Sequence, residues 1–235
     1  MFQPTNLDMV TILKLIRFAL DHKQPFSLVR IGDGENIVLA QDSVWSIDKV
    51  LKERWAIFAN KGLKGVTLPN LGLRNELIKS IRKADVVGLL DPNDQTIKAS
   101  SDVKRPLTDQ ILAYYKLSPK QTCNAIVNRM FVNEHGFWEL LRGRRILIIT
   151  RYPEQLKEKL EKKQSGLKVT MMIRFSHYSE MEGALKEIAA KKDSFDIALI
   201  SCGVNAVILA QKVAELAGKV GIDFGKAPDR IFAKE

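Results

Sequence analysis

Four short apolar segments recur in the second half of the sequence, and a stretch with a helical pattern separates each from the next. They lie at residues 145–150, 167–173, 195–201 and 219–223. Segments of this length and composition are typical of buried strands. The helical stretches between them form crossover connections, which make strands parallel and cover both faces of a sheet. The pattern therefore predicts an α/β fold with a doubly wound, mostly parallel sheet and helices on both faces.

The first half of the sequence contains similar elements at a less regular spacing. It predicts a first helix at about residues 6–23, which Thr5 and Asn6 can cap, followed by a strand at residues 26–31. Residues 91–105 are polar and predict a loop. The same alternation of strands and helices is therefore expected to begin close to the N-terminus.

No internal repeat or low-complexity linker divides the chain. We expect one domain over residues 1–235, in which residues 144–225 form the regular βα region. Hydrophobic residues make up 46% of the sequence, which excludes a mainly disordered chain. Cys123 and Cys202 are too few and too far apart for a disulfide scaffold, and neither has a zinc-ligand spacing.

The net charge of +10 is spread along the chain. No basic tail exists, because both halves of the sequence carry a similar excess of basic residues. Trp45, Trp55 and Trp138 do not alternate with basic residues as in a single-strand binding platform, and we interpret them as packing groups. The charge therefore favours an anionic small ligand over nucleic acid, and a basic surface could also rest near anionic lipids.

The sequence predicts a cytoplasmic protein. Its N-terminus lacks the basic region and apolar run that are typical of a signal peptide. No apolar run approaches the roughly 20 residues that are needed to cross a bilayer.

The first strand ends in a motif rich in glycine and charge. Asp33 and Glu35 are carboxylates two residues apart, and Gly32 and Gly34 let the backbone approach a ligand closely. Carboxylates beside a diphosphate suit Mg²⁺ or Mn²⁺, and Arg30 adds a positive charge able to hold phosphate. The alternative is a plain strand-to-helix turn, in which Asp33 caps the helix and Glu35 favours its positive end.

Two later strand ends also supply candidate binding groups, because ligands of open parallel sheets bind beyond the carboxyl ends of the strands. Free N–H groups around Gly203 and Asn205 can bind phosphate at a helix start, unless Gly203 only eases a tight turn. Thr150 and Arg151 end another strand, where Arg151 can either hold a phosphate or be solvated.

The last strand end carries a further carboxylate. Asp223 could coordinate a metal, bind a sugar hydroxyl or accept a proton. Its alternative role is an Asx turn with Gly225 as the left-handed residue. Lys226 could meet a diphosphate as a point charge.

Several of these segments together resemble one known family. The sequence at residues 26–35 resembles the N-terminal signature of the GT-D-type glycosyltransferases, including its Asp-x-Glu motif. Residues 124–129 followed by residues 143–149 are similar to a middle segment of that family. Residues 196–210 leading to residues 221–225 are similar to its closing helix and strand end. The three matches occur in order and extend over nearly the whole chain.

The resemblance implies a Rossmann-like domain that transfers a sugar from a nucleotide-sugar, a UDP-sugar, to a glycan, glycoprotein or lipid-linked acceptor. It implies Mn²⁺ or Mg²⁺ as cofactor, bound by Asp33 and Glu35. The further residues that it implies at the site are Arg30, Gly32, Gly34, Asn128, Arg129, Gly203 and Asp223. The sequence departs from the family at Lys226, where a His is common. Either Glu35 or Asp223 could serve as general base.

Three functional classes stay open at this point. The resemblance favours a metal-dependent glycosyltransferase. A non-catalytic module that binds a nucleotide-sugar or phosphate would use the same glycine turns and basic groups. Only the net charge favours a nucleic-acid-binding protein.

Overall fold

Residues 5–232 are described by the computed structural model, and in this range eight strands form one sheet. The strands are β1 (Thr5–Leu7), β2 (Phe26–Ile31), β3 (Val86–Leu89), β4 (Gln121–Asn124), β5 (Arg145–Thr150), β6 (Lys168–Arg174), β7 (Ile197–Ser201) and β8 (Val220–Asp223). Their order across the sheet is β1-β4-β3-β2-β8-β7-β5-β6, and each neighbouring pair is parallel. The predicted α/β fold with a parallel sheet is confirmed.

Helices connect the strands and cover the sheet on both sides. They are α1 (Met9–Asp21), α2 (Asp33–Ala40), α3 (Ile47–Lys52), α4 (Arg54–Asn60), α5 (Leu71–Lys83), α6 (Arg105–Tyr114), α7 (Val127–Phe131), α8 (His135–Leu141), α9 (Pro153–Lys163), α10 (Met181–Ala190), α11 (Asn205–Lys212) and α12 (Ala227–Phe232). The last turn after α11, Val213–Ala217, is a π-helix.

The two faces of the sheet pack into separate buried clusters. Neighbouring residues on a strand point to opposite faces, so Val29 belongs to one cluster and Leu28 to the other. We name the side of Val29 the first face, where Leu77 of α5 and Val207 of α11 pack. The second face carries α1, α7, α8, α9 and α12, with Ile16 of α1 among its buried residues. The doubly wound arrangement is therefore built from alternating apolar side chains of central strands.

The N-terminal segment differs from its prediction. Thr5 does not cap a helix but pairs with Gln121 of β4, and α1 begins only after Asp8. The Asp8 side chain caps α1 by accepting a hydrogen bond from the Thr11 N–H at 2.8 Å. The prediction that Thr5 or Asn6 caps the first helix was wrong, because a three-residue edge strand is specified by its partner rather than by local propensity.

The chain leaves the sheet in opposite directions at two adjacent strands. β2 and β8 are neighbours, yet α2, which follows β2, packs on the first face and α12, which follows β8, packs on the second. Helices that diverge in this way open a crevice beyond the carboxyl ends of the strands. The fold therefore places the predicted motif and the last strand end on either side of one crevice.

Within residues 5–232, no helix is long and apolar enough to span a bilayer. The N-terminal residues 1–4, which bear on the expectation that a signal peptide is absent, lie outside the described range.

Candidate active site at the carboxyl ends of the strands

A cavity of about 1100 Å³ opens at this edge of the sheet. It brings together residues from β2, β5 and β7, from the turn after β8, and from helices and loops that lie far apart in the sequence. The predicted site residues that line it are Arg30, Asp33, Gly34, Glu35, Arg129, Thr150, Arg151, Gly203, Gly225 and Lys226. Most of the predicted site residues thus line the cavity, as expected for ligand binding beyond the carboxyl ends of the strands.

Four predicted site residues lie behind the wall instead of lining the cavity, namely Gly32, Asn128, Asn205 and Asp223. Asn128, Asn205 and Asp223 are buried to 2% exposure or less. Their contacts, described below, position the residues that do line the cavity.

Arg30 lies at the centre of a buried cluster of charges. Its Nε is 3.3 Å from Oδ2 of Asp223, and its Nη1 is 3.9 Å from Oε2 of Glu35. The Arg30 side chain is 14% exposed, while the two carboxylates are almost completely buried. One guanidinium therefore neutralises carboxylates from two different elements, β8 and α2.

The pKa values follow from this arrangement. Burial, together with the charge of Glu35, raises the pKa of Asp223 to about 7, although Arg30 opposes the shift. Burial would lower the pKa of Arg30, but Asp223, Glu35 and Asp33 outweigh it and raise that pKa. Arg30 is therefore always charged, and the raised pKa of Asp223 brings its change of protonation close to neutral pH.

Asp33 and Glu35 have different environments despite their closeness in sequence. Gly32 occupies the N-cap position, so Asp33 is the first residue of α2 and not its cap. Oε2 of Glu35 accepts a hydrogen bond from the Gly32 N–H at 2.8 Å, which closes the first turn of α2. Asp33 is half-buried and lines the cavity. The alternative interpretation from the sequence, in which the carboxylate stabilises the start of the helix, therefore holds for Glu35.

Gly225 is required where β8 meets this cluster. Its φ is 51°, and a Cβ there would collide with the Asn128 side chain and lie 3.2 Å from Nε of Arg30. Asn128 also donates from Nδ2 to the main-chain carbonyl of Asp223 at 3.3 Å. Asn128 thus holds the end of β8, and the absence of a side chain at Gly225 lets Arg30 approach.

Asn205 connects the β7 strand end to a loop before α5. Its Nδ2 donates to the carbonyl of Gly65 at 3.0 Å and to the carbonyl of Cys202 at 3.4 Å. Gly65 also accepts the N–H of Tyr178 at 2.8 Å, so this loop rests on the segment after β6. Asn205 therefore positions the loop that carries Lys64, a residue of the cavity wall.

The wall contains residues that the sequence interpretation did not identify. They are contributed mainly by α4 and by the loops around it and after β3, and include Arg54, Trp55, Phe58, Lys64, Lys98 and Tyr152. Trp55 was interpreted as a packing group, and it does pack against Gly34, where a Cβ would lie 2.7 Å from its ring. The helical spacing of Arg54 and Phe58 could have indicated a cationic, aromatic helix face, but not that this face adjoins the strand ends.

Basic residues outnumber acidic ones along the cavity. Seven basic side chains line it against four acidic ones, which favours an anionic ligand. Arg129 shows the effect directly, because burial and then the nearby charges of Arg30 and Arg230 lower its pKa. An anion close to Arg129 would relieve this repulsion.

Residues 96–100 form one wall of the cavity, and two buried side chains fix the segment around them. Nδ2 of Asn36 in α2 donates to the carbonyls of Val103 and Lys104 at 3.0 and 2.9 Å. Nζ of Lys104 donates to the carbonyl of Asp94 at 2.7 Å and lies 3.7 Å from its carboxylate. The wall is therefore tied to the helix that also bears Asp33 and Glu35.

A model of the GT-D fold-like domain family matches residues 7–231. The chain belongs to this family. The match confirms the resemblance drawn from the sequence and agrees with the parallel sheet and the glycosyltransferase-like fold. No curated protein matches the chain significantly. The roles of individual motif residues stay predictions.

The carboxylates of this GT-D fold-like chain suit a divalent ion that is shared with a ligand. Asp33 lines the cavity. Oε2 of Glu35 accepts the hydrogen bond from the Gly32 N–H, while Oε1 of Glu35 makes no hydrogen bond to the described residues. In the part of the chain that the structure describes, no group of three or more His, Cys, Asp or Glu side chains is arranged to hold an ion. An ion here would take most ligands from phosphate and water, as Mg²⁺ usually does.

Proposed function

We propose that the protein is a metal-dependent glycosyltransferase that moves a sugar from a nucleotide-sugar, most simply a UDP-sugar, to a glycan or glycoconjugate acceptor. The observation that carries the proposal is the placement of the Asp33 carboxylate in a large, net basic cavity at the crevice between β2 and β8. Membership in the GT-D fold-like family supports the same function.

We assign the donor diphosphate to three cations of the wall that form no ion pair with the described residues. Arg129, Arg151 and Lys226 line the cavity from three different strand ends or the helices after them. Arg30 is less suited to this role than the sequence indicated, because two buried carboxylates already engage it. We assign Arg30 to holding Glu35 and the end of β8 in place.

Asp33, with Oε1 of Glu35, would hold the divalent ion, Mn²⁺ or Mg²⁺. A bound ion would supply Lewis-acid stabilisation of the charge that develops on the leaving nucleoside diphosphate. The chain itself orients the donor through its cations and keeps Asp33 at the crevice through the first turn of α2. Each of these contributions is electrostatic and is set before the reaction begins.

Asp223 is assigned a positioning role. It is 2% exposed, does not line the cavity and faces Arg30. A general base must come within hydrogen-bond reach of the acceptor hydroxyl, either directly or through one water. Asp223 therefore acts on the site through Arg30 and not by touching the acceptor.

The test is turnover of a panel of UDP-, GDP- and dTDP-sugars, with and without Mn²⁺ or Mg²⁺. Asp33→Asn should lower kcat/KM by about 100-fold or more, which is the scale for loss of a preorganised electrostatic group. Asp229→Asn is the matched control, because Asp229 is an exposed carboxylate of the same cavity outside the motif.

Two results would contradict the proposal. Full activity of the Asp33→Asn protein at saturating metal would remove the metal role. Metal-dependent binding of UDP by calorimetry, without turnover of any donor in the panel, would instead favour a non-catalytic nucleotide-sugar-binding module.

A further inference from the structure

A basic and apolar surface lies beside the mouth of the cavity. We name it the α4 surface. It consists of Arg54, Ile57, Phe58, Lys61, Leu63 and Lys64 of α4 and the turn after it, together with Lys52, the exposed last residue of α3 two positions before α4. Leu63 is 62% exposed and Ile57 is 43% exposed, so this surface presents two large apolar side chains to solvent. Positions 54, 57, 58 and 61 share one helix face by spacing. The α4 surface therefore presents apolar and cationic groups side by side.

Among the described residues, no carboxylate forms an ion pair with a cation of the α4 surface. Elsewhere lysines form ion pairs along their helices, as Lys186 does with Glu182 at 2.7 Å. On the α4 surface, Arg54 and Lys64 instead approach the Phe58 ring, at 5.3 and 5.8 Å from its centre. Both side chains also line the cavity, as Phe58 and Leu63 do. The positive charge of this surface is thus available to an anionic partner.

The turn that ends α4 projects away from its surroundings. Apart from Gly62 itself and its two chain neighbours, no described residue has an atom within 4 Å of the position that a Cβ on Gly62 would occupy. Lys61 and Leu63 flank Gly62, so the tip carries one cation and one exposed apolar side chain. The N–H groups of Gly62 and Leu63 bond to the carbonyls of Ala59 and Phe58 at 2.9 and 3.1 Å, which fixes the tip to α4.

We propose that the α4 surface docks the protein onto an anionic lipid bilayer. Ile57 and Leu63 would enter the boundary between headgroups and acyl chains, while Lys52, Arg54 and Lys61 would meet lipid phosphates. A bilayer suits this surface better than a protein partner does, because isolated apolar side chains among cations need no matching shape in a fluid interface. Docking places the mouth of the cavity at the membrane.

Docking also indicates which class of acceptor the protein would use. This step rests on the proposed glycosyltransferase function. A cavity held at the bilayer surface would meet acceptors that are anchored in lipid and presented at the headgroup level. Vesicle binding itself requires no sugar transfer, so its outcome can be separated from the outcome of the turnover test.

The experiment is co-sedimentation of the full chain with phosphatidylcholine vesicles that contain or lack phosphatidylglycerol. We expect binding only to the anionic vesicles, weakened by added salt. The double variant Lys61→Glu with Leu63→Glu should bind about tenfold more weakly or worse, since it reverses a charge and removes the apolar tip. Both side chains are exposed, and unchanged thermal unfolding would show that the fold is intact.

The matched control is Val10→Glu with Lys14→Glu on α1. Val10 is 58% exposed and Lys14 is exposed, but α1 packs on the second face of the sheet whereas Ala56 of α4 packs on the first. This control should bind like wild type. Absence of binding to anionic vesicles, or weaker binding by the control than by the α4 variant, would overturn the proposal.

Leu63→Ala separates insertion from simple charge attraction, because it changes no charge. We expect it to bind anionic vesicles several-fold more weakly than wild type, as burial of apolar side chains contributes to interfacial binding. Vesicle binding equal to wild type would overturn insertion of the tip. In that case the cations would serve a soluble anionic partner, such as an acidic protein surface.

Discussion

Nε of Arg30 lies 3.3 Å from Oδ2 of Asp223, and the two side chains join the ends of adjacent strands in a buried position. Asp223 stands on β8 and Arg30 on β2, nearly the full length of the chain apart. Glu35 approaches the same guanidinium at 3.9 Å from α2. This cluster holds the crevice together, and its charges set the pH and mutational behaviour of the site.

Removal of Arg30 should destabilise the folded protein, because it leaves buried carboxylates without a neighbouring cation. Arg30→Met is expected to lower the free energy of unfolding by about 3–5 kcal/mol at neutral pH, the usual scale for breaking a buried pair. Adding Asp223→Asn should recover part of that loss, since the stranded carboxylate is gone. Denaturant unfolding of the two single variants and the double variant checks this. Strictly additive losses would contradict a direct coupling between Arg30 and Asp223.

Stability should depend on pH through Asp223. Burial raises the pKa of Asp223 from its ordinary value of 3.8 to about 7 in the folded protein, so between these values the folded state holds a proton that the unfolded chain releases. The free energy of unfolding contributed by Asp223 therefore falls as pH rises through this window and is constant above it. The slope is at most about 1.4 kcal/mol per pH unit for one proton.

The measurement is the difference in unfolding free energy between wild type and Asp223→Asn at several pH values. Asparagine does not titrate, so the difference should change between about pH 4 and pH 7 and level off above. A difference that stays constant over this window would show that Asp223 has an ordinary pKa.

Gly225→Ala should be more damaging than an alanine at another left-handed glycine. Gly225 has φ of 51° and Gly143 has φ of 71°, so both substitutions cost about 1–2 kcal/mol in backbone energy. At Gly225 the new Cβ also collides with Asn128 and crowds Arg30, whereas at Gly143 no described residue beyond its chain neighbours comes within 4 Å of the new Cβ. We expect Gly225→Ala to lose about 1–3 kcal/mol more in thermal or denaturant unfolding. Equal losses would argue against the close packing at this strand end.

Asn36→Ala should loosen the wall of the cavity. The substitution removes the hydrogen bonds to the carbonyls of Val103 and Lys104, which then lie buried without that partner. We expect a loss of about 2–4 kcal/mol and faster amide hydrogen exchange in residues 94–104. The control is Asn60→Ala, which removes a comparable pair of bonds to Leu68 in another loop. Slow exchange in residues 94–104 of Asn36→Ala would contradict the role of Asn36.

The strands from β5 to β8 could be predicted because the apolar pattern that specifies each of them lies within the strand itself. Within residues 145–150, the four apolar side chains at positions 146–149 are buried wherever the strand lies in the sheet, and the structure confirms the segment as β5. The strand at Thr5–Leu7 could not be predicted, since its only specification is pairing with β4 more than a hundred residues away. The helix start moved to Asp8 as a result.

The residues of the candidate site also fall into two groups, those that local sequence patterns located and those that only long-range packing placed there. Local turn chemistry and the strand-end rule located Asp33, Gly203 and Lys226 at the cavity. The same rule could not tell that Asp223 lies behind Arg30 and does not line the cavity. It also gave no indication of Trp55 or Lys64, because these come from a segment with no strand end of its own.

The alternation of short apolar segments with helical stretches by itself determined that the chain forms a parallel α/β sheet and where most of its strands end, because the burial that specifies each segment follows from its local pattern. Only the tertiary structure decided that β2 and β8 are neighbours. That choice places Arg30 against Asp223 and brings α4 to the mouth of the cavity. Contacts between distant segments depend on how whole helices and strands pack, and no local pattern encodes them.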